Sequence, residues 1–294
     1  MQLSVIATTY NATEWLQKLL WGYAAQTFRD FELIIADDGS KPETAALVQE
    51  QSQALGLNVQ HVWQEDDGFQ KCRILNKAIL HARHDYLVFT DGDCIPRADF
   101  LEVHARRAAP RTYLSGSYYK LPMSTSKLIN REDIDAGRCF DWHWLRDNGL
   151  PRSAKRSKID AGPTMARWLN RLTPTKCNLK GSNASAWLED VIRVNGYDER
   201  MRYGGLDREF GVRLVNAGVR PVHVRYDAIV VHLDHARGYR NPDEVAANKA
   251  MRVAVDRQGI VQTPHGLSQL VQDGYPIPSH AAALKYLNQT PSTS

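Results

Sequence analysis

The segment Tyr86-Leu-Val-Phe-Thr-Asp-Gly-Asp-Cys-Ile-Pro96 runs apolar for the length of a short strand and then stops at two carboxylates one residue apart. A β-rich run bounded by Gly and Pro is the pattern of a strand covered on both faces, which points to a mostly parallel sheet with helices on either side. Sheets of that kind bind ligands beyond the carboxyl ends of their strands, so Asp91 and Asp93 are expected at the rim of a crevice. Two carboxylates at this spacing repel each other unless a cation lies between them. Hard divalent ions such as Mg2+ or Mn2+ take oxygen ligands together with substrate phosphates. Asp and Gly are also ordinary turn residues, so the motif alone leaves a metal-diphosphate clamp and a plain polar turn both open.

The first hundred residues repeat the theme. Leu3 to Thr8 reads as a strand, and Asn11 followed by Glu14 predicts a capping box opening a helix from about Ala12 to Gln26, with Trp15, Leu19, Leu20 and Tyr23 inward. Phe31 to Ala36 is a second strand ending at Asp37-Asp38-Gly39-Ser40, where Ser40, Pro42 and Glu43 predict a second capped helix. Strands over Val59 to Trp63 and Tyr86 to Thr90, with a helix over Lys71 to His81, complete an alternation that specifies a doubly wound sheet. Each strand ends in polar chemistry: Thr8 to Asn11, Asp37 to Ser40, Gln64 to Gly68 with Asp66 inside it, and Asp91 to Asp93. One shared crevice accounts for that coincidence. Asp37 or Asp38, at the end of the second strand, is placed to accept hydrogen bonds from a nucleotide base or ribose. The first strand is followed by neither Gly-x-Gly-x-x-Gly nor a P-loop, which argues against a nicotinamide or flavin cofactor and against a P-loop kinase.

The 294 residues, 43% of them hydrophobic, suffice for one full-sized core. A net charge of +4 is too small to argue for nucleic acid. Cys72, Cys94, Cys139 and Cys177 form no CxxC pair, so neither a zinc site nor a disulfide scaffold is expected and a reducing cytoplasm fits best. No apolar stretch approaches the roughly 20 residues that span a bilayer.

After a strand near Tyr113 to Tyr119 the alternation breaks, and Lys120 to Lys180 reads as an insertion. It contains Trp142, Trp144 and Trp168, with a basic tract of Arg152, Lys155, Arg156 and Lys158 leading to Arg167 and Arg171. Thr164 to Leu172 suggests a short amphipathic helix suited to an anionic membrane surface or a phosphorylated acceptor, the alternative being a solvated basic face. Asn178 to Ser185 resembles a strand entering a polar loop, with a helix over Trp187 to Asn195. Beyond a flexible Gly204-Gly205 pair, Leu206, Phe210, Leu214 and Ala217 share one helical face and place Asp207 and Glu209 in the first turn, where the helix dipole favours ionised acids. Ala228 to His235 is a strand ending in His232 and His235, imidazoles that either complete a metal site or serve structurally. A helix over Pro242 to Arg257, an irregular stretch past Gly259 and a disordered Gln289 to Ser294 close the chain.

As an ordered set, Thr9-Tyr10-Asn11, Asp37-Asp38-Gly39-Ser40, Asp91-Gly92-Asp93, Lys180-Gly181-Ser182-Asn183 and Tyr203-Gly204-Gly205-Leu206-Asp207-Arg208-Glu209-Phe210 resemble a family 2 inverting glycosyltransferase of the GT-A fold. The last group is similar to the Trp-Gly-Gly-Glu-Asp-x-Glu-Phe motif of the galactosyltransferase-like C-terminal module of β-1,4-galactosyltransferases and chondroitin polymerases. The resemblance covers about residues 3–240. It implies a single Rossmann-like unit over 1–260, with a nucleotide-binding half (1–119), an insertion (120–180) and an acceptor half (181–240), followed by an extension over 261–294. A nucleotide-sugar donor, foremost a UDP-sugar, would meet Thr9, Tyr10, Asn11, Asp38, Asp66, Asp91 and Gly92. Mn2+ or Mg2+ would be held by Asp91, Asp93 and His232 or His235. Asp207 would be the catalytic base, with Asn183, Tyr203, Gly204 and Gly205 on the acceptor side.

Two positions depart from the resembled motif. Leu206 stands where it has an acid thought to help bind the acceptor sugar, and Tyr203 keeps an aromatic surface in place of its tryptophan. The implied acceptor is a glycan or a lipid-linked or lipopolysaccharide molecule, met in the cytoplasm or at the inner face of the membrane, with peripheral contact through the basic insertion. Of the rivals, a sugar-nucleotide pyrophosphorylase would want a Gly-rich, basic loop after the first strand, which Thr8 to Asn11 does not offer. A non-catalytic nucleotide- or carbohydrate-binding domain of the same fold stays open through Leu206.

Overall fold

In the computed structural model, which describes residues 1–151, 156–236 and 241–287, the early apolar runs form four parallel strands. They are β1 (Leu3–Thr9), β2 (Phe31–Asp37), β3 (Val59–Trp63) and β4 (Tyr86–Asp91), in the order β3-β2-β1-β4. The helices α1 (Thr13–Ala24), α2 (Pro42–Leu55) and α3 (Lys71–His81) connect them. Alternate residues supply two cores. Val5, Ala7, Leu33, Ile35 and Val88 pack with Leu16 and Leu19 of α1, whereas Ile6, Ile34, Ala36, Leu87 and Phe89 pack with Ile74, Leu75 and Ile79 of α3. Covering both faces in this way is what makes β1, β2 and β4 largely apolar, whereas the edge strand β3 keeps Gln60 and His61 half-buried.

Beyond β4 come β5 (Cys94–Pro96), α4 (Phe100–Arg107), β6 (Thr112–Ser115), β7 (Ser117–Lys120), β8 (Ala184–Trp187), β9 (Arg220–His223) and β10 (Ile229–His232). The large sheet runs β3-β2-β1-β4-β8-β6-β9, with β8 antiparallel to both β4 and β6, and a small sheet runs β5-β10-β7. The fifth strand expected over Tyr113 to Tyr119 is therefore two strands in two sheets, parting at Gly116. Asn183 causes the break. A Cβ on Gly116 would lie 2.3 Å from the Asn183 amide group, whose nitrogen donates to the carbonyls of Ser117 and Ala228, both at 2.9 Å.

Local signals failed where loops pair with each other. Asn11 and Ser40 were expected to cap their own helices, yet the N-caps are Ala12 and Lys41, with no side-chain bonds. Instead the Asn11 amide donates to Ser40 Oγ (2.8 Å), Asn11 Oδ1 accepts from the Lys41 amide (3.0 Å), and Asp37 Oδ1 accepts from the Ser40 amide (2.8 Å). The two turns cap one another across the strand ends. The segment Asn178 to Ser185 is likewise a loop that enters a strand, because pairing with β4 starts only at Ala184. Past Gly259 the described chain is mostly irregular, as expected, but a short helix over Leu267–Gln272 buries Leu267 and Leu270 in the core around α3.

The insertion is a set of short helices, including Pro163–Leu172, with Trp142 and Trp144 partly buried and Trp168 exposed. Arg152, Lys155 and Gln289 to Ser294 lie outside the described residues. Among those described, no helix is long and apolar enough to cross a membrane.

Candidate active site

The strand ends open into a cleft of about 1580 Å³, lined by β1, β4, the start of α3, the Lys180–Ser182 loop, Tyr203–Arg208, His232 and His235. Helix Pro242–Gln258 closes one side through Val245, Asn248, Lys249 and Arg252. This exceeds the roughly 300–1,000 Å³ usual for one small ligand, so there is room for two.

Asp91 Oδ1 accepts from Lys71 Nζ at 2.6 Å and from Thr8 Oγ1 at 3.3 Å. The Gly92 amide donates to the Thr8 carbonyl at 2.7 Å, and a Cβ there would lie 2.6 Å from that oxygen. The glycine between the acids is thus required by the approach of β1. Asp93 meets the two histidines. Its Oδ2 lies 2.9 Å from His235 Nε2 and 3.5 Å from His232 Nε2. Each histidine's Nδ1 meets a backbone carbonyl, Leu233 O at 2.7 Å and Ala236 O at 2.8 Å, which places the Nδ1 proton there and turns an Nε2 lone pair toward Asp93. Lone pairs converging on a carboxylate oxygen require a cation between them, a proton or a metal ion. The ligand atoms of Asp93, His232 and His235 lie within 4.8 Å of one another, as do those of Asp91, Asp93 and Cys94. One carboxylate and two imidazoles, with Asp91 beside them, are a donor set that can hold a divalent cation. Burial works to raise the Asp93 carboxyl, but the His235 bond and the His232, His235 and Lys71 charges outweigh it and hold the group below its usual range.

Asp207 opens the helix Leu206–Asn216, and the chain reaches it through Gly204 and Gly205 at φ 105° and 86°. That left-handed pair is closed to most side chains. Asn248 pins the turn, its amide donating to the carbonyls of Arg202 (2.9 Å), Tyr203 (3.3 Å) and Gly204 (3.0 Å). Asp207 Oδ1 is buried without a hydrogen-bond partner among the described residues. Burial, with Asp91 adding to it, pushes this carboxyl up to about 6 against the pull of Lys71, the Gly181 amide and Arg208. Glu209, the other first-turn acid, is buried on Arg213 at 2.7 and 2.9 Å and does not line the cleft. Leu206 is 5% exposed and packs with the core around Phe210.

Gly181 sets where the Asp207 carboxylate lies, because a Cβ there would come within 2.4 Å of Oδ1. Gly181→Ala is expected to displace the carboxylate with little strain, since a side-chain end yields easily. Turnover should fall by about 100-fold with an unchanged melting temperature, because small misplacements of a reacting group carry that cost. Full activity in this variant would separate Asp207 from the chemistry.

Of the remaining expected donor residues all but Asp66 line the same cleft, and Asp66 stands behind it as the partner of Tyr10. Asp38 lines it while accepting from Gln64 Nε2 (2.7 Å) and the Gln70 amide (3.0 Å), and burial pushes its carboxyl up to about 6. Tyr10 donates to Asp66 at 2.8 Å. Thr9, Asn11, Gly92 and Tyr203 also line the cleft, the last edge-on to Phe69 with ring centres 5.9 Å apart. Asn183 does not. Expected on the acceptor side, it is fully buried, holds the two sheets together and lies within 3.2 Å of His104 Nε2.

Sequence reasoning passed over Lys71 and Lys180. A cation in the first turn of α3 opposes the helix dipole, and that misfit was the available signal for Lys71. Burial disfavours the Lys71 charge, but Asp91 and Asp207 outweigh it and raise the group well above its ordinary value. Lys180 goes the other way, to about 8, through burial and then Arg225, Lys158 and Arg208.

The sequence pattern of the family described as Glycosyl transferase family 2 matches residues 4–170. Chondroitin synthase of Escherichia coli is 25% identical over 285 residues, which span 88% of this chain and 38% of that protein. The solved structure of S. aureus TarS 1-349 in complex with UDP-GlcNAc superposes with a TM-score of 0.60 at 15% identity, covering 98% of this chain and 72% of the other. Mannosyltransferase PcManGT from Pyrobaculum calidifontis, in complex with GDP-Man and Mn2+, gives 0.56 at 18% identity, covering 98% and 79%.

Proposed function

This chain belongs to glycosyl transferase family 2 and has the GT-A fold, and from that premise we propose that it transfers a sugar from a nucleotide-sugar, foremost a UDP-sugar, to a hydroxyl of a glycan or lipid-linked acceptor with inversion. The observation that carries the reading is Asp207 Oδ1, a buried carboxylate oxygen without a hydrogen-bond partner among the described residues, in a cleft that also holds Asp91 and Asp93. Such an oxygen is costly to fold around unless a ligand supplies its hydrogen bond.

Each residue then has a task. Asp38 and Tyr10 line the cleft where β1 and β2 end and orient the base and ribose, with Asp66 behind them holding the Tyr10 hydroxyl. Lys71 keeps Asp91 in place and stays charged, so positive potential persists between the donor side and Asp207. Asp207 takes the proton of the acceptor hydroxyl as its oxygen attacks the anomeric carbon from the face opposite the leaving group, and that single displacement inverts the centre. Tyr203 gives the acceptor sugar an aromatic surface. A divalent cation held by Asp93, His232 and His235, with Asp91 alongside, would supply charge stabilisation to the departing diphosphate.

The direct test offers UDP-, GDP- and dTDP-sugars with Mn2+ and no acceptor. One donor is expected to raise the melting temperature and to release nucleoside diphosphate slowly as water replaces the acceptor. Binding of a donor with no release, even with acceptor extracts added, would favour a non-catalytic binding domain.

A further inference from the structure

The helix Pro163–Leu172 packs against the protein by its small and polar side. Ala166 and Asn170 are buried, and the Asn170 amide donates to Asp227 Oδ1 (2.8 Å) while its oxygen accepts from the Tyr226 amide (3.2 Å). The large apolar residues point away: Met165, Trp168 and Leu172 are 56%, 58% and 68% exposed. At 3.6 residues per turn these three share an arc about 60° wide, roughly opposite Ala166 and Asn170. Arg167 and Arg171, both exposed, border the arc on its Trp168 side. A helix of a globular domain normally buries its large apolar stripe, so this one is inverted.

The surrounding charge selects the occupant. Over the described residues 156–180 three Lys and three Arg stand against Asp160, which pairs with Arg156, and Asp227 beneath the helix is offset by Arg107, Arg106 and Arg97. A second copy of this face would bring the same positive charge, and like charges oppose that pairing. An anionic bilayer matches both features, taking Trp168, Met165 and Leu172 at the acyl boundary and the arginines at the headgroup phosphates. We propose that the helix Pro163–Leu172 docks this protein on an anionic membrane surface. The proposal goes beyond the transfer reaction and does not depend on it.

The test floats the full chain with phosphatidylcholine vesicles and with mixed phosphatidylcholine-phosphatidylglycerol vesicles. Partition into the mixed vesicles alone is expected. Arg167→Gln with Arg171→Gln should lower it about 30-fold, from the typical contribution of two basic residues near an anionic surface. Met165→Ser with Trp168→Ser and Leu172→Ser should abolish it, while the melting temperature and nucleotide binding of both variants stay those of the parent. A parent that ignores the anionic vesicles, or variants that partition as it does, overturns the proposal. So does a vesicle-free parent dimer that the triple apolar variant makes monomeric, which would assign the face to a second copy.

Discussion

Asp207→Asn is expected to lower sugar transfer by at least about 100-fold while leaving Mn2+-supported nucleotide binding within about twofold of the parent, the range set by loss of a general base. Asn keeps the shape of the side chain but cannot accept the acceptor's proton. The pH profile is the second readout. Burial, then Asp91, lifts this carboxyl from 3.8 to about 6, so the parent's rate should climb as pH passes through about 6, and the variant's residual rate should not. Stability carries the opposite sign. A carboxyl whose folded value is raised contributes stability that is present below 3.8 and lost as pH rises through about 6. At neutral pH the parent therefore carries the cost of a charged Asp207 whose Oδ1 is buried. The Asn variant should melt no lower than the parent at pH 7, with any advantage gone in acid. Undiminished turnover in the variant would refute the base assignment, whatever its melting behaviour.

Asp93→Asn should act on the other half of the cleft. It removes the charge on which two imidazole nitrogens converge, at 2.9 and 3.5 Å, and changes little in volume. Mn2+-supported nucleotide binding is expected to weaken by about 10- to 100-fold and transfer to fall with it, while the melting temperature in chelator stays close to the parent's. In the parent, chelation should remove activity and Mn2+ or Mg2+ should restore it. Undiminished activity in chelator would leave His232, His235 and Asp93 as a structural cluster. The two variants are complementary: one loses turnover and keeps nucleotide, the other loses nucleotide and turnover together.

The parallel half of the fold was legible because its strands are covered on both faces. Burial forces a nearly unbroken apolar run in β1, β2 and β4, whose ends fall within one residue of the pattern, while the edge strand β3 (Val59–Trp63) and α3 (Lys71–His81) match their expected bounds through their flanking turns and helical spacing. Legibility ended where a local signal met a distant partner. Asn11 and Ser40 have the chemistry of helix caps, but each finds the other's loop first. Tyr113 to Tyr119 has the composition of one strand, and Asn183, far along the chain, splits it at Gly116. Asn183 itself stands in a motif read as acceptor-facing, yet its amide is consumed between β7 and β10.

What the sequence determined by itself is the chemistry available and the side of the sheet that holds it. Acids stand at the ends of β2 and β4, a Gly-Gly turn precedes Asp207, and one histidine ends β10 with a second just beyond it, because strand periodicity and turn residues are local properties. Only the tertiary structure decided the pairings: Lys71 with Asp91, both histidines on Asp93, Asn248 under the Gly204 turn, and Gly181 against an unpartnered Asp207 oxygen. These contacts join residues far apart in the chain. Their energies depend on distance and burial, which no local pattern encodes.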